Sequence, residues 1–152
     1  DRAGLPPDAL LVEVTEDSFL SDPERAREML LEIRAHDVQV SIDDYGTGFS
    51  SLAYLHKLPV DSLKIDKSFI INLPDHPDNA TIVRSTIELA HNLGLSVVAE
   101  GVESEDISRQ LVAMQCDTAQ GFHFSRPKPA AAIGRLWQDQ GTAGGLRSVS
   151  GA

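Results

Sequence analysis

The chain has 152 residues, 41% of them hydrophobic, with 13 Lys and Arg against 23 Asp and Glu and a formal charge of -10. That is one domain's worth of sequence, long enough to bury a core and too apolar and mixed to be disordered. The acidic balance argues against a protein that grips a DNA or RNA polymer, which needs clustered Lys and Arg. It leaves open an anionic ligand joined to carboxylates by divalent cations.

In chain order, a first strand is expected over residues 10–15. Ser21 and Glu24 then have capping-box spacing, with Pro23 near the first helical position, so a helix should run to Ala35 and bury Met29, Leu30 and Ile33. A second strand over 38–43 leads into a glycine-punctuated turn at Gly46 and Gly48 and a short helix over 50–57. A third strand over 62–66 precedes a long helix over 79–92 stopped by Gly94. A fourth strand over 96–100 precedes a helix over 104–115 with Glu105 and Asp106 in its first turn. A fifth strand over 118–124 is followed by a last helix near 129–138, capped by Trp137, and residues 139–152 read as a flexible tail.

Strand then helix, five times over, is the signature of parallel strands joined by crossover helices, so the class is α/β. Within the strands polar residues alternate with apolar ones: Val40 and Ile42 with Ser41 and Asp43, Leu63 and Ile65 with Ser62, Lys64 and Asp66. One set can face surrounding helices and the other a barrel interior, which favours a barrel over an open sheet. The chain opens on Asp1 rather than Met, which agrees with a missing upstream part. Cys116 is the only cysteine and cannot form an internal disulfide, the pattern of a reducing, cytoplasmic compartment. No uncharged run approaches the roughly 18 residues of a membrane-spanning helix.

The ionisable residues carry the functional signal. Glu13, Asp43, Asp44, Lys64, Glu100 and Gln120 fall at or near the C-terminal ends of the expected strands, which in a parallel barrel converge on one rim. Carboxylates gathered there repel one another and are driven towards protonation unless a counter-charge holds them ionised. Mg²⁺ or Mn²⁺ supplies it, and two ions about 3.5–4 Å apart can activate water against a phosphodiester. Each residue also has a plainer reading: Glu13 and Glu16 as a solvated face, Lys64 as a structural partner of Asp66, Glu100 and Glu103 as the acidic start of a helix. The plainer readings do not explain why every strand ends in a charged or amide residue.

The motifs, in order, are Val12 to Glu16, Ser41 to Leu52 with its Asp43 and Asp44 pair, Leu63 to Ile70, Val98 to Glu103, and Ala119 to Pro127. Together they resemble the motifs of the EAL-domain cyclic di-GMP phosphodiesterases, from about Leu5 to Trp137. The resemblance implies a bacterial signalling enzyme that opens cyclic di-GMP to linear pGpG with two Mg²⁺ or Mn²⁺ ions on a modified (βα)8 barrel. By position, Glu13, Asp43 and Asp44 are similar to metal ligands, and Glu103 to an accessory metal-site carboxylate. Lys64 resembles the residue that orients water, Glu100 the general base, and Gln120 a contact to water or substrate. Glu16 resembles the glutamate that steadies the loop after Asp44 through Thr47, a loop that also implies a homodimer contact. The Glu-Ala-Leu triplet that names the family is absent, as is its asparagine ligand, so the resemblance implies an incomplete TIM-barrel-like fold with about five of eight βα units, residues 1–138 as its C-terminal part, a missing N-terminal part of the domain as a further partner, and a 152-residue chain that is inactive alone. The alternatives are a non-catalytic cyclic di-GMP receptor, a regulatory or interaction module, and another metal-dependent barrel hydrolase. Retention of Glu13, Asp43, Asp44, Lys64, Glu100 and Glu103 together, and the ordered motif set, favour the enzyme.

Overall fold

The computed structural model describes residue 4, residues 6–16, residue 18 and residues 22–46, 55–130, 132 and 133. Five strands form one parallel sheet in chain order: β1 (Leu11–Thr15), β2 (Gln39–Tyr45), β3 (Ser62–Ile65), β4 (Ser96–Ala99) and β5 (Thr118–Ala119). Between them lie α1 (Pro23–Arg34), a one-turn α2 (Lys67–Ile70), α3 (Pro77–Asn92) and α4 (Glu105–Ala113). The expected α/β class and the incomplete, barrel-type sheet are therefore present. Among the described residues β1 and β5 pair with one neighbour each, so the sheet is open at both edges.

The period-2 alternation sorts the side chains as the sequence implies. Val40, Ile42, Leu63, Ile65, Val97 and Ala99 lie on one face and are buried with Leu30 of α1, Val83, Ile87 and Ala90 of α3, and Ile107 and Leu111 of α4. The opposite face carries Glu13 beside Ser41, Ser41 beside Ser62, and Ser62 beside Ser96 in register. Ser41, Ser62 and Lys64 are buried on the central strands, whereas on β1 Leu11, Glu13 and Thr15 are exposed. The polar face is thus shielded at the middle of the sheet and open at its β1 edge.

Helix ends follow local chemistry, with some departures from expectation. Asp22, not Ser21, caps α1, its carboxylate accepting from Arg25 N at 3.2 Å; Ser21 lies outside the described residues. Leu30 is buried and Ile33 packs on the core, but Met29 is 54% exposed, because its position on α1 turns it away from the sheet. Ser104 caps α4 through Ile107 N, and Gly94 ends α3 in the left-handed region at φ +76°. Helix α2 was not expected; Asp66 opens it by accepting from Ser68 N at 2.9 Å, and four residues are too few to show a period. β5 ends at Ala119, not at 124, because the chain turns there to bond with the loop after β4. Most of the expected helix over 50–57, most of the last helix with Trp137, and the whole tail lie outside the described residues.

Cys116 joins α4 to β5 and is buried, its thiol 3.2 Å from Thr118 O. Burial pushes it up from the ordinary 9.0 to about 11. The folded chain therefore keeps a proton that the unfolded chain releases above pH 9. Stability from this source is full below that pH and declines by about 2 kcal/mol as the pH climbs towards 11. Urea midpoints at pH 8 and pH 10 should show the loss in the parent and not in Cys116→Ala. Equal pH slopes in the two proteins would contradict the thiol as its origin.

Candidate active site

The site is built around an irregularity of β2. Ile42 pairs with Leu63 and Tyr45 with Ile65, so two residues, Asp43 and Asp44, stand opposite the single Lys64. Consecutive strand residues normally point to opposite faces. Here the bulge, with Asp44 at φ +54°, brings both carboxylates to the same place. A left-handed non-glycine residue costs about 1–3 kcal/mol and persists where its surroundings hold it. What it achieves is convergence: carboxylate oxygens of Asp43, Asp44 and Glu100 all lie within 4.8 Å of one another.

Lys64 stands behind this trio. Its Nζ is 2.7 Å from Glu13 Oε1, 3.0 Å from Asp43 Oδ1 and 2.7 Å from Glu100 Oε1, joining β1, β2 and the end of β4. Burial by itself would push the ammonium down. The hydrogen bonds it donates to Glu100, Glu13 and Asp43 more than reverse that and hold it above the usual lysine range. Lys64 is therefore a fixed cation, and its expected structural partner Asp66 is instead turned to Ser68 and Asp44.

Asp44 titrates higher than an ordinary aspartate, first through lost hydration and then through the neighbouring charges of Asp43 and Asp66, with Lys64 opposing. Asp66 goes the other way: desolvation raises it, but hydrogen bonds from the Ser68 side chain and from the amides of Ser68 and Lys67, with the Lys67 charge, outweigh that and hold it low. The mouth thus has more negative charge than one lysine neutralises. An all-oxygen donor set with that excess suits a hard divalent cation better than a soft one, and Asp43, Asp44 and Glu100 are the residues that would hold it.

The other expected site residues are placed as follows. Glu13 touches Lys64 and is not one of the trio. Glu103 is exposed on the loop after β4, outside the trio. Gln120 follows β5 on the same rim, its N–H donating to Ala99 O at 2.8 Å and its carbonyl accepting from Val102 N at 3.0 Å. Glu16 is buried, and its Oε2 accepts from Gly46 N at 3.4 Å, where the turn after Asp44 begins. Gly46 has φ +97°, and a Cβ there would sit 3.2 Å from the Phe69 ring. Thr47 lies outside the described residues. Asp66 is the site neighbour that sequence reasoning offered only as a structural partner for Lys64; its place two residues after Lys64 was visible, but its helix-opening geometry was not.

The EAL domain family model matches residues 1–127. The cyclic di-GMP phosphodiesterase NbdA of Pseudomonas aeruginosa is 44% identical over 133 residues, which are 88% of this chain and 17% of NbdA. The solved structure of the PaMucR phosphodiesterase in complex with c-di-GMP is 42% identical and superposes with a TM-score of 0.83, over 87% of this chain and 53% of that one. Klebsiella pneumoniae BlrP1, solved with c-di-GMP and either calcium or manganese, is 35% identical with a TM-score of 0.77, over 83% of this chain and 32% of its own. The chain therefore spans under a fifth of NbdA and about half of the PaMucR structure. No helix among the described residues is long and apolar enough to cross a membrane. A parallel sheet that collects its carboxylates on one rim, and a family match that runs through nearly all of it, lead to the same place: this chain belongs to the EAL domain family.

Proposed function

We propose that this chain supplies the carboxylate-rich part of an enzyme that hydrolyses cyclic di-GMP to pGpG. The observation that carries the reading is the meeting of Asp43, Asp44 and Glu100 at a bulge opposite Lys64. Relatives named as cyclic di-GMP phosphodiesterases, and neighbours solved with that dinucleotide, support the substrate. Two divalent cations, Mg²⁺ or Mn²⁺, would supply water activation and charge neutralisation at the phosphodiester when bound. Asp43, Asp44 and Glu100 would hold them, with Glu13 and Glu103 completing the set.

In the net reaction, water adds to one phosphorus, the bond from that phosphorus to its 3′ oxygen breaks, and the proton lost by water ends on the leaving oxygen. Lys64, held protonated by three carboxylates that take up its three N–H donors, cannot accept a proton, and would orient the attacking water or a phosphoryl oxygen by exchanging one carboxylate for it. The base is then a carboxylate, and Glu100, fixed by Lys64 on one oxygen, is suited to the role. Gln120 would orient water or substrate from the neighbouring strand. Glu16 and Thr47 would steady the loop after Asp44, which we place at a homodimer contact, and the setting would be cytoplasmic.

The open β1 edge leaves Glu13 in solvent, so the site would be complete only when further strands close the barrel. In the completed domain with Mg²⁺, release of pGpG should be clear and should fall at least about tenfold in Glu100→Gln, while the 152-residue chain alone should release none. Equal rates in parent and variant, or turnover by the isolated chain, would contradict the reading.

A further inference from the structure

The one-turn helix α2 leaves the central strand β3 and touches both segments that carry the converging carboxylates. Its own place is fixed. Ile70 is fully buried, Asp66 caps the turn by accepting from Ser68 N at 2.9 Å, and Ile71 N closes it on Lys67 O at 2.9 Å. Phe69 backs the turn that follows Asp43 and Asp44: a Cβ built on Gly46, at φ +97°, would sit 3.2 Å from Cε2 of the Phe69 ring. Lys67 and Ile71 back the turn that follows Glu100: a Cβ built on Gly101, at φ +74°, would sit 2.6 Å from Lys67 Cβ and 3.4 Å from Ile71 Cγ1. Lys67 and Phe69 are two positions apart on a helical turn, so they face different sides of it.

Gly46 and Gly101 thus lie within two residues of Asp44 and Glu100 and rest against one rigid turn from two sides. A side chain at either place would push its segment away from α2, and with it the carboxylate it carries. The spacing needs such a hold, because carboxylates whose oxygens lie within 4.8 Å repel one another and the backbone must resist that force. We propose that α2 is the bracket that sets the separation of Asp43 and Asp44 from Glu100, with Phe69 and Lys67 as positioning residues, one for each segment, and so governs how tightly the three carboxylates hold a divalent cation. This inference rests on the function proposed above and adds to it the element that spaces the cation's ligands.

The test is the affinity of the completed domain for Mn²⁺ alone, read by calorimetry with no nucleotide present. Gly101→Ala should weaken it about tenfold. The paired change Gly101→Ala with Lys67→Gly moves the one Cβ of that contact to the other partner, and should return the affinity to within about threefold of the parent. Phe69→Leu keeps an apolar side chain but loses the ring edge against Gly46; it should also weaken Mn²⁺ about tenfold, and it decides the matter if Gly101→Ala does not fold. Gly94→Ala carries the same left-handed strain in open space, so it should melt earlier and bind Mn²⁺ as the parent does. A merely structural role predicts instead that affinity follows melting temperature in all of these, Gly94→Ala included. Parent-like affinity in Gly101→Ala or Phe69→Leu, or no recovery in the paired variant, would overturn the bracket and leave the phosphodiesterase reading standing. A parent that binds Mn²⁺ but releases no pGpG would overturn that reading and leave the bracket; a parent that binds no Mn²⁺ would overturn both.

Discussion

Gly121→Ala is expected to cost about 3 kcal/mol of stability, a fall in melting temperature of about 6–12 °C. A methyl group built on Gly121 runs into the backbone of Val102, meeting its O, its N and its carbonyl carbon, the last at 2.6 Å. Backbone cannot rotate away as a side chain can, so the two segments must part. The loop that moves contains Glu100 and Glu103, and the strand end that moves contains Gln120. A displacement of about 1 Å at a catalytic group can cost 10²-fold in rate, so hydrolysis by the completed domain should fall by about that much. Gly94→Ala is the comparison. It sits at φ +76° with nothing within 4 Å of the added carbon, and should cost only about 1–2 kcal/mol of backbone strain with the rate unchanged. Thermal melts and initial rates for the two variants separate collision from strain. Similar behaviour in both would mean that the contact with Val102 is soft.

Lys64→Met should be the most damaging change in the site itself. The substitution keeps an unbranched side chain of similar length but removes the cation that Glu13, Asp43 and Glu100 share. Breaking a buried ion pair from one side costs about 3–5 kcal/mol, and the partial exposure of the three carboxylates lowers the expectation here to about 2–3. A divalent cation can replace part of the lost charge. Millimolar Mg²⁺ or Mn²⁺ should therefore raise the melting temperature of Lys64→Met more than that of the parent. Hydrolysis should nonetheless stay about 10²–10³-fold down with metal added, because the cation proposed to orient the reacting water or phosphoryl oxygen is gone. A variant that melts like the parent and gains no more from metal would contradict the role of Lys64 as the shared counter-charge.

Much of this was legible in the sequence because strand ends are marked by alternation. Ser41 and Asp43, and Ser62 and Lys64, announce both the polar face and its direction, and Asp43, Lys64 and Glu100 meet as their positions implied. The convergence of Asp44 was not legible in its geometry. Alternation alone sends it to the opposite face from Asp43, and only the pairing of Tyr45 with Ile65 shows the extra residue. The end of β5 was missed for a related reason. Ala119 to Phe124 keeps a strand-like composition, but the pairing partner turns away at Gly101, at φ +74°, and Val102 then takes the bonds of Gln120 and His123. Met29 shows the same limit on a helix, where an apolar letter does not say which side of the cylinder it occupies. Tertiary partners decided each of these cases, and a single sequence does not name them.

Because spatial order in the sheet equals order along the chain, every strand after β1 finds its template already made when it leaves the ribosome. Within these five strands each pairing is made with the strand just before it, so loop closure there stays local. The ammonium of Lys64 emerges after Glu13 and Asp43 and before Glu100. A growing chain would therefore hold a partly balanced charge cluster over the 36 positions from Lys64 to Glu100.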